Sequence, residues 1–169
     1  MAVIESQKSM PLFCLDIEIA VAKYFGWRQH LIVPNVSWGL GLTHEADILV
    51  VTRSGYATEI EIKTSAQDLK RDLLKSHKHR SEKIRQRFAA VPTKLKELAL
   101  QTFPEDWGVL SISEGPYVER VREAKKDKTA RALNVNEINH LYELASMRIW
   151  TLKETLANRI QRTPRSEAG

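Results

Sequence analysis

Three charged residues have the types and the spacing that phosphodiester hydrolysis requires. Asp47 opens an apolar, strand-like run, and Glu61 and Lys63 stand two residues apart in the next run. Side chains two residues apart on a strand share a face, so Glu61 and Lys63 point the same way. Carboxylate oxygens are the ligands that Mg²⁺ prefers, and the bound ion activates water. The pattern therefore predicts a site suited to a metal-dependent nuclease.

The turn between the two runs decides whether the carboxylates meet. Residues 53–55 (Arg-Ser-Gly) are typical of a three-residue hairpin loop with its glycine in the left-handed conformation. That loop pairs Thr52 with Tyr56 and, counting outward, sets Asp47 opposite Glu61. Two carboxylates facing each other across a ladder repel. A divalent cation between them removes the repulsion.

Two other interpretations fit the same residues. A two-residue turn at 54–55 would shift the pairing by one and place Asp47 and Glu61 on opposite faces. The alternation of Glu59, Glu61 and Lys63 with isoleucine is also typical of any half-exposed surface strand. The sequence leaves both alternatives open.

Composition limits the class of protein. The 169 residues, 43% hydrophobic and 28% charged, suffice for one globular domain with a core and a small appendage. A single cysteine, Cys14, excludes an internal disulfide and a multi-cysteine zinc site. No run approaches the length of a membrane span, and the N-terminus lacks a signal pattern. We expect no membrane association and a cytoplasmic location.

Basic residues follow directly after the acidic strand pair. The net charge is +5, and residues 68–96 carry ten lysines and arginines against three acids. A second basic stretch covers residues 120–131. Basic runs are often only solvated faces, but a polyanion drawn to this surface would meet the carboxylates next. We therefore expect DNA binding through the first run, at Lys70, Arg71, Lys75, Lys78 and Arg80.

A first helix is predicted from Pro11 to Phe25, and it places one acid on its apolar side. Its apolar stripe contains Glu18, together with Leu15, Ile19, Ala22 and Phe25. A carboxylate facing a core needs a partner such as a metal ion. The alternative is that Glu18 lies at the edge of the stripe and reaches water.

The remaining pattern predicts an α/β fold, a mixed β-sheet flanked by helices. An edge strand at 31–38, interrupted by Pro34, precedes the hairpin. A helix begins near Ser65, and a strand at 88–91, a helix at 93–102 and a strand at 107–112 imply a parallel crossover. The domain prediction is a core at 1–115, a flexible basic connector at 116–133, and C-terminal helices at 134–162 that pack on the core through Trp150.

The chain resembles the PD-(D/E)xK nuclease superfamily, which has the restriction-endonuclease-like fold with an αβββαβ core. The resemblance rests on Asp47 opening one strand and on Glu61-Ile62-Lys63 in the next, followed at once by a helix. It covers about residues 10 to 113 and is strongest to small nuclease-like proteins of bacteria and their phages. Ala46 stands where the proline of the superfamily name would be, at a position that varies among these nucleases.

The resemblance implies a deoxyribonuclease of a bacterial cell or a phage-infected host. Asp47, Glu61 and the carbonyl of Ile62 would hold Mg²⁺, for which Mn²⁺ substitutes. Lys63 would orient the attacking water, and Glu18 matches a further acid of many members. DNA would be the partner, and such nucleases often form homodimers.

Two functions without catalysis remain open. One is an inactive nuclease-fold module that binds DNA, in which a Glu45–Lys63 salt bridge replaces the metal. The other is a scaffold in DNA repair or phage replication that recruits proteins through its C-terminal helices.

Overall fold

The computed structural model describes residues 13–74, 81–115 and 117–162. The chain begins with a helix and three consecutive strands, and continues with two crossovers through helices to a fourth and a fifth strand, then a sixth strand and a long final helix. In chain order the elements are α1 (Cys14–Phe25), β1 (Leu31–Val36), β2 (Ala46–Val51), β3 (Ala57–Ile62), α2 (Ala66–Leu74), β4 (Ile84–Pro92), a 3₁₀ turn (Thr93–Leu95), α3 (Lys96–Thr102), β5 (Gly108–Ile112), β6 (Val118–Arg122) and α4 (Val135–Arg162).

The six strands form one sheet whose spatial order follows the chain order, β1 to β6. The β1–β2, β2–β3 and β5–β6 pairs are antiparallel, whereas β3–β4 and β4–β5 are parallel. Parallel neighbours need a crossover connection, which α2 and α3 supply. The predicted mixed α/β sheet with flanking helices is therefore confirmed.

Helices cover both faces of the sheet. On one face, α1 packs over a core that extends across β2, β3, β4 and β5. On the other face the buried apolar residues form two clusters, one joining β1 and β2 to α4 and one joining β4 and β5 to α2 and α3. Alternation along β3 turns Glu59 and Glu61 toward this second face. The two glutamates therefore lie between the clusters.

The buried side of α1 differs from the predicted stripe. Ile17, Ala20 and Val21 are buried, whereas Leu15 and Ile19 are exposed. The small side chain of Ala20 lets the helix approach the sheet closely, so the face centred on it packs inward. Glu18, next to Ile17 in sequence, is half-buried at the rim. The predicted start at Pro11 lies outside the described residues.

The segment predicted as a flexible connector contains a sixth strand. β6 pairs with β5, and its last residue, Arg122, binds the carboxyl end of α3. The Arg122 guanidinium donates hydrogen bonds of 2.7–3.2 Å to the carbonyl oxygens of Trp107, Leu100, Phe103 and Pro104. The prediction of a connector without structure is wrong here, because the strand is held by its partners and carries no apolar alternation.

The C-terminal region is one helix of 28 residues rather than several. Leu141 and Leu144 are buried against the sheet, but every side chain from 151 to 160 is exposed. Trp150 is 67% exposed, so the prediction that it anchors the helix is wrong. The anchoring residues lie in the first half of α4. Within the described residues, no helix combines the length and apolarity that crossing a bilayer demands.

Candidate metal centre

The β2–β3 hairpin has the register that brings two carboxylates together. Its ladder pairs Val51 with Ala57 at the turn, and the glycine of the 53–55 loop has a φ of +81°. The loop therefore has three residues, as predicted, and the two-residue alternative is excluded. The same register, continued outward, sets Asp47 opposite Glu61.

Asp47 closes the ladder at the open end of the hairpin. Its Oδ2 accepts a hydrogen bond of 2.7 Å from the backbone amide of Ile62. The Asp47 carboxylate is thus bound to the backbone of β3 next to Glu61. This hydrogen bond gives Asp47 a structural role. It also holds the Asp47 carboxylate beside Glu61.

Glu61 is mostly buried, and its surroundings disfavour the ionised carboxylate. Burial raises its pKa to about 7, and the charge of Asp47 adds to the increase, whereas Lys63 opposes it. Lys63 Nζ lies 3.3 Å from Glu61 Oε2. The three residues selected from the sequence therefore meet at one place. When Glu61 is ionised, these three side chains carry one net negative charge, which a bound cation would neutralise.

Two further residues with possible ligand atoms, His44 and Glu59, stand next to Glu61. The sequence did not single out His44, and it gave Glu59 only as a member of the alternating run of β3. His44 Nε2 contacts Glu59 Oε1 and lies 4.0 Å from Glu61 Oε1. Each of the three residues offers a ligand atom within 4.8 Å of the other two. The hydrogen bond to Glu59 raises the pKa of His44. Glu59 shares the face of Glu61 by strand alternation, and that signal could have identified it.

Glu59 has a partner on each side, the imidazole of His44 and the guanidinium of Arg87. It is 1% exposed and pairs with Arg87 across β3 and β4. Arg87 Nε lies 3.4 Å from Glu59 Oε2. A buried carboxylate is costly unless it is paired, so His44 and Arg87 explain why β3 tolerates it.

The predicted acid of α1 lies within electrostatic reach of this centre. Burial raises the pKa of Glu18, and the charge of Asp47 raises it further, while a hydrogen bond from Cys14 lowers it. Burial and these two carboxylates raise the pKa of the Cys14 thiol to about 11. A raised pKa keeps the thiol protonated at neutral pH, which disfavours a role for Cys14 as a nucleophile.

The predicted DNA-binding residues are only partly described. Lys70 and Arg71 are exposed on α2, and Arg71 Nη1 lies 3.7 Å from Asp68 Oδ1. The backbone amide of Asp68 donates a hydrogen bond to Ser65 Oγ, which confirms the predicted helix start. Lys75, Lys78 and Arg80 lie outside the described residues.

Comparison with known proteins identifies the family. Residues 5–156 match the family model described as "MmcB-like: DNA repair protein MmcB-like". No curated protein matches. A solved structure titled "SPO1766 protein of unknown function from Silicibacter pomeroyi" is 20% identical, with a TM-score of 0.54 over 88% of this chain and 92% of that one. That likeness supports the fold alone, and membership of the PD-(D/E)xK superfamily stays a prediction. The family match covers most of the chain, which therefore belongs to the MmcB-like family of DNA repair proteins.

Proposed function

We propose that this protein is a metal-dependent deoxyribonuclease that hydrolyses phosphodiester bonds in DNA repair. The observation that carries the proposal is the meeting of Asp47, Glu61 and Lys63 at the end of one hairpin. A mostly buried acid whose pKa is raised by burial and by a second acid, with a lysine in contact, is typical of a functional site and favours a cation site here. The DNA repair family supports DNA as the substrate.

The residues fit a divalent ion of the magnesium type. Asp47 and Glu61 would hold Mg²⁺, or Mn²⁺ in its place, and the carbonyl of Ile62 would add a further oxygen. When bound, the ion lowers the pKa of water and stabilises charge developing on the phosphate. Lys63, in contact with Glu61, would orient the water and offset phosphate charge rather than take a proton. Glu18 would supply a further acid at the rim.

A cleavage assay with matched variants tests this function. Purified protein is incubated with linear duplex, single-stranded and branched DNA in Mg²⁺, Mn²⁺ or EDTA, and products are resolved on gels. We expect metal-dependent cleavage that falls at least about 100-fold in Asp47→Asn and Lys63→Ala. Glu45→Gln, which removes a nearby exposed acid, is the control and should cleave normally. Equal cleavage by all variants would show that a contaminant or another site is responsible.

A second candidate, an inactive DNA-binding module, is favoured by a specific observation. Each acid of the centre already contacts a group of the protein: Asp47 the Ile62 amide, Glu61 the lysine Lys63, and Glu59 the imidazole of His44. Such a network is self-sufficient without a metal ion. DNA binding with no cleavage in either metal, unaffected by Asp47→Asn, would favour this module over the nuclease.

A further inference from the structure

A strongly basic cleft lies at the amino-terminal end of β4, away from the carboxyl ends where Glu61 and Lys63 stand. Its cationic side chains come from two places, the start of β4 and the loop that follows β6. They are Arg85, Arg87, Lys125, Lys126 and Lys128.

The loop that carries the lysines is fixed to the sheet by backbone hydrogen bonds. The amide of Asp127 donates to the carbonyl of Arg85 at 2.8 Å, and the amide of Lys125 donates to the carbonyl of Asp106 at 2.9 Å. The side chain of Gln86 donates to the carbonyl of Ala124 at 3.1 Å. The backbone that carries the lysines is thus held in place before any ligand arrives, which lowers the entropic cost of ordering the loop on binding.

Two acids also line the cleft, and one of them has a structural use. Asp127 Oδ1 accepts hydrogen bonds from the amide and the hydroxyl of Thr129, at 2.9 and 2.6 Å, and so shapes the loop. Asp106 is the second acid. Arg87 is paired with Glu59, but the other four cations against two acids still leave an excess of positive charge, so the cleft suits an anion with several charges.

The cleft is connected to the candidate metal centre through Arg87. Arg87 lines the cleft and lies 3.4 Å from Glu59, which in turn contacts His44. The β3–β4 register pairs Glu61 with Ala89, four residues beyond Arg85. Four residues of strand span about 13 Å, or about four nucleotides at 3.4 Å per nucleotide of duplex.

The guanidinium of Arg85 also forms a cation–π contact at the side of the cleft. It lies over the ring of Tyr56, 3.9 Å from the centroid, at the turn of the β2–β3 hairpin. The aromatic ring restrains the guanidinium at this position. A planar, oriented guanidinium can form paired hydrogen bonds with a phosphate group.

We propose that this basic cleft binds the phosphate backbone of DNA, a few nucleotides from the bond presented to the metal centre. The proposal rests on the proposed function in taking DNA as the polyanion. It assigns the main backbone contact to β4 and the 125–128 loop, in addition to the basic residues of α2. Contacts to phosphate set position and affinity without reading sequence, so binding is expected to be independent of sequence.

Binding measured without cleavage tests the cleft. Fluorescence anisotropy of labelled duplex and single-stranded DNA, and of RNA of the same sequence, is recorded in EDTA over a range of salt concentrations. The variant is Lys126→Gln/Lys128→Gln, and the control is Lys153→Gln/Arg159→Gln on the exposed half of α4, which removes the same net charge. All four side chains are exposed, so thermal melts should show that both variants fold.

We expect the cleft variant to bind DNA about tenfold more weakly, with a salt slope lower by about two, because two phosphate contacts are lost. The control should stay within about twofold of the parent. Equal losses in both variants would show a general charge effect and overturn the proposal, as would no loss in the cleft variant. A loss confined to RNA would overturn the choice of DNA.

The experiments distinguish a failure of the proposed DNA-binding cleft from a failure of the proposed nuclease activity. Because EDTA excludes metal-dependent cleavage, a protein that cleaves nothing can still lose DNA affinity with Lys126 and Lys128. Conversely, metal-dependent cleavage by the parent, together with an unchanged DNA affinity in the Lys126→Gln/Lys128→Gln variant, would refute only the proposal for the cleft.

Discussion

Glu61 is the residue whose chemistry depends most on its neighbours. Its folded pKa of about 7 lies above the usual value of 4.5, since burial and Asp47 both oppose its charge. A raised carboxyl pKa means that the folded state holds the proton more tightly than the unfolded chain. Without metal, the free energy of unfolding should therefore fall as pH rises from about 4.5 to 7, and this contribution should be level above that range.

The same electrostatics predict that Asp47→Asn stabilises the metal-free protein. Asparagine keeps an oxygen for the Ile62 amide but removes the charge beside Glu61. In EDTA at pH 8 we expect a gain of about 1 kcal/mol, a rise in Tm of about 2–4 °C. At pH 4.5, where Glu61 is protonated, the gain should largely disappear.

Thermal melts of the parent, Asp47→Asn and Glu45→Gln across this pH range would check the prediction. Glu45→Gln removes an exposed acid nearby and should leave Tm nearly unchanged. A lower Tm for Asp47→Asn at pH 8 would mean that the main role of Asp47 is its hydrogen bond to the Ile62 amide, and that its repulsion of Glu61 is negligible. An Mg²⁺-induced rise in Tm should be seen in the parent and be lost in the variant.

The sequence predicted part of this centre because its residues lie on one hairpin. Turn chemistry and period-two alternation suffice to bring Asp47, Glu61 and Lys63 together. His44 was not assigned, because it precedes the strand and meets Glu59 only after the hairpin has closed. Arg87 belongs to β4, which is joined to β3 by a helix. The register of such a parallel pair cannot be predicted by counting residues from a hairpin turn.

At the scale of elements, local turn chemistry and long-range packing differ in how visible they are in the sequence. The β2–β3 loop and the start of α2 follow from local residue types and were predicted. The buried side of α1 and the pairing of β6 depend on the partner surface, so the apolar pattern misplaced the first and missed the second. Arg122, counted among basic residues, instead binds carbonyls at the end of α3.

The start of α4 is held by a charged network with its own pH dependence. Asn134 and Glu137 form a reciprocal capping box, with bonds of 3.0 and 2.8 Å between each backbone amide and the other side chain. Glu137 also accepts two hydrogen bonds of 2.8 Å from Arg131, and Lys83 Nζ lies 3.3 Å away. Chiefly through Arg131, these donors lower the pKa of Glu137 to about 2.

Glu137→Gln should destabilise the protein at neutral pH by about 1–3 kcal/mol. The folded pKa lies below the usual 4.5, so the contribution is complete above pH 4.5 and is lost as pH falls toward 2. The gap between parent and variant should therefore close over that range. Urea unfolding at several pH values measures it, with Glu143→Gln, an exposed acid of the same helix, as control. A gap independent of pH would assign the loss to packing rather than charge.

At the scale of the whole molecule, the two halves of α4 differ: the first half packs in the core, and the second half is exposed. Its first half supplies Leu141 and Leu144 to the core shared with β1 and β2. Its second half presents Ile149, Leu152, Leu156 and Ile160, all exposed. An apolar pattern therefore predicted the helix correctly but could not tell which turns reach the sheet, since both halves carry leucine and isoleucine at helical spacing.

Matched truncations of two leucines in one helix test this division. Leu144 is 2% exposed and Leu156 is 48% exposed, yet the substitution to alanine removes the same atoms. Leu144→Ala leaves a cavity in the core and should cost about 2–5 kcal/mol, whereas Leu156→Ala should change the free energy of unfolding by less than about 0.5 kcal/mol. Urea unfolding at two protein concentrations measures both. A loss for Leu156→Ala that matches Leu144→Ala, and that grows with protein concentration, would show that the second half of α4 is covered in solution by another copy of the chain.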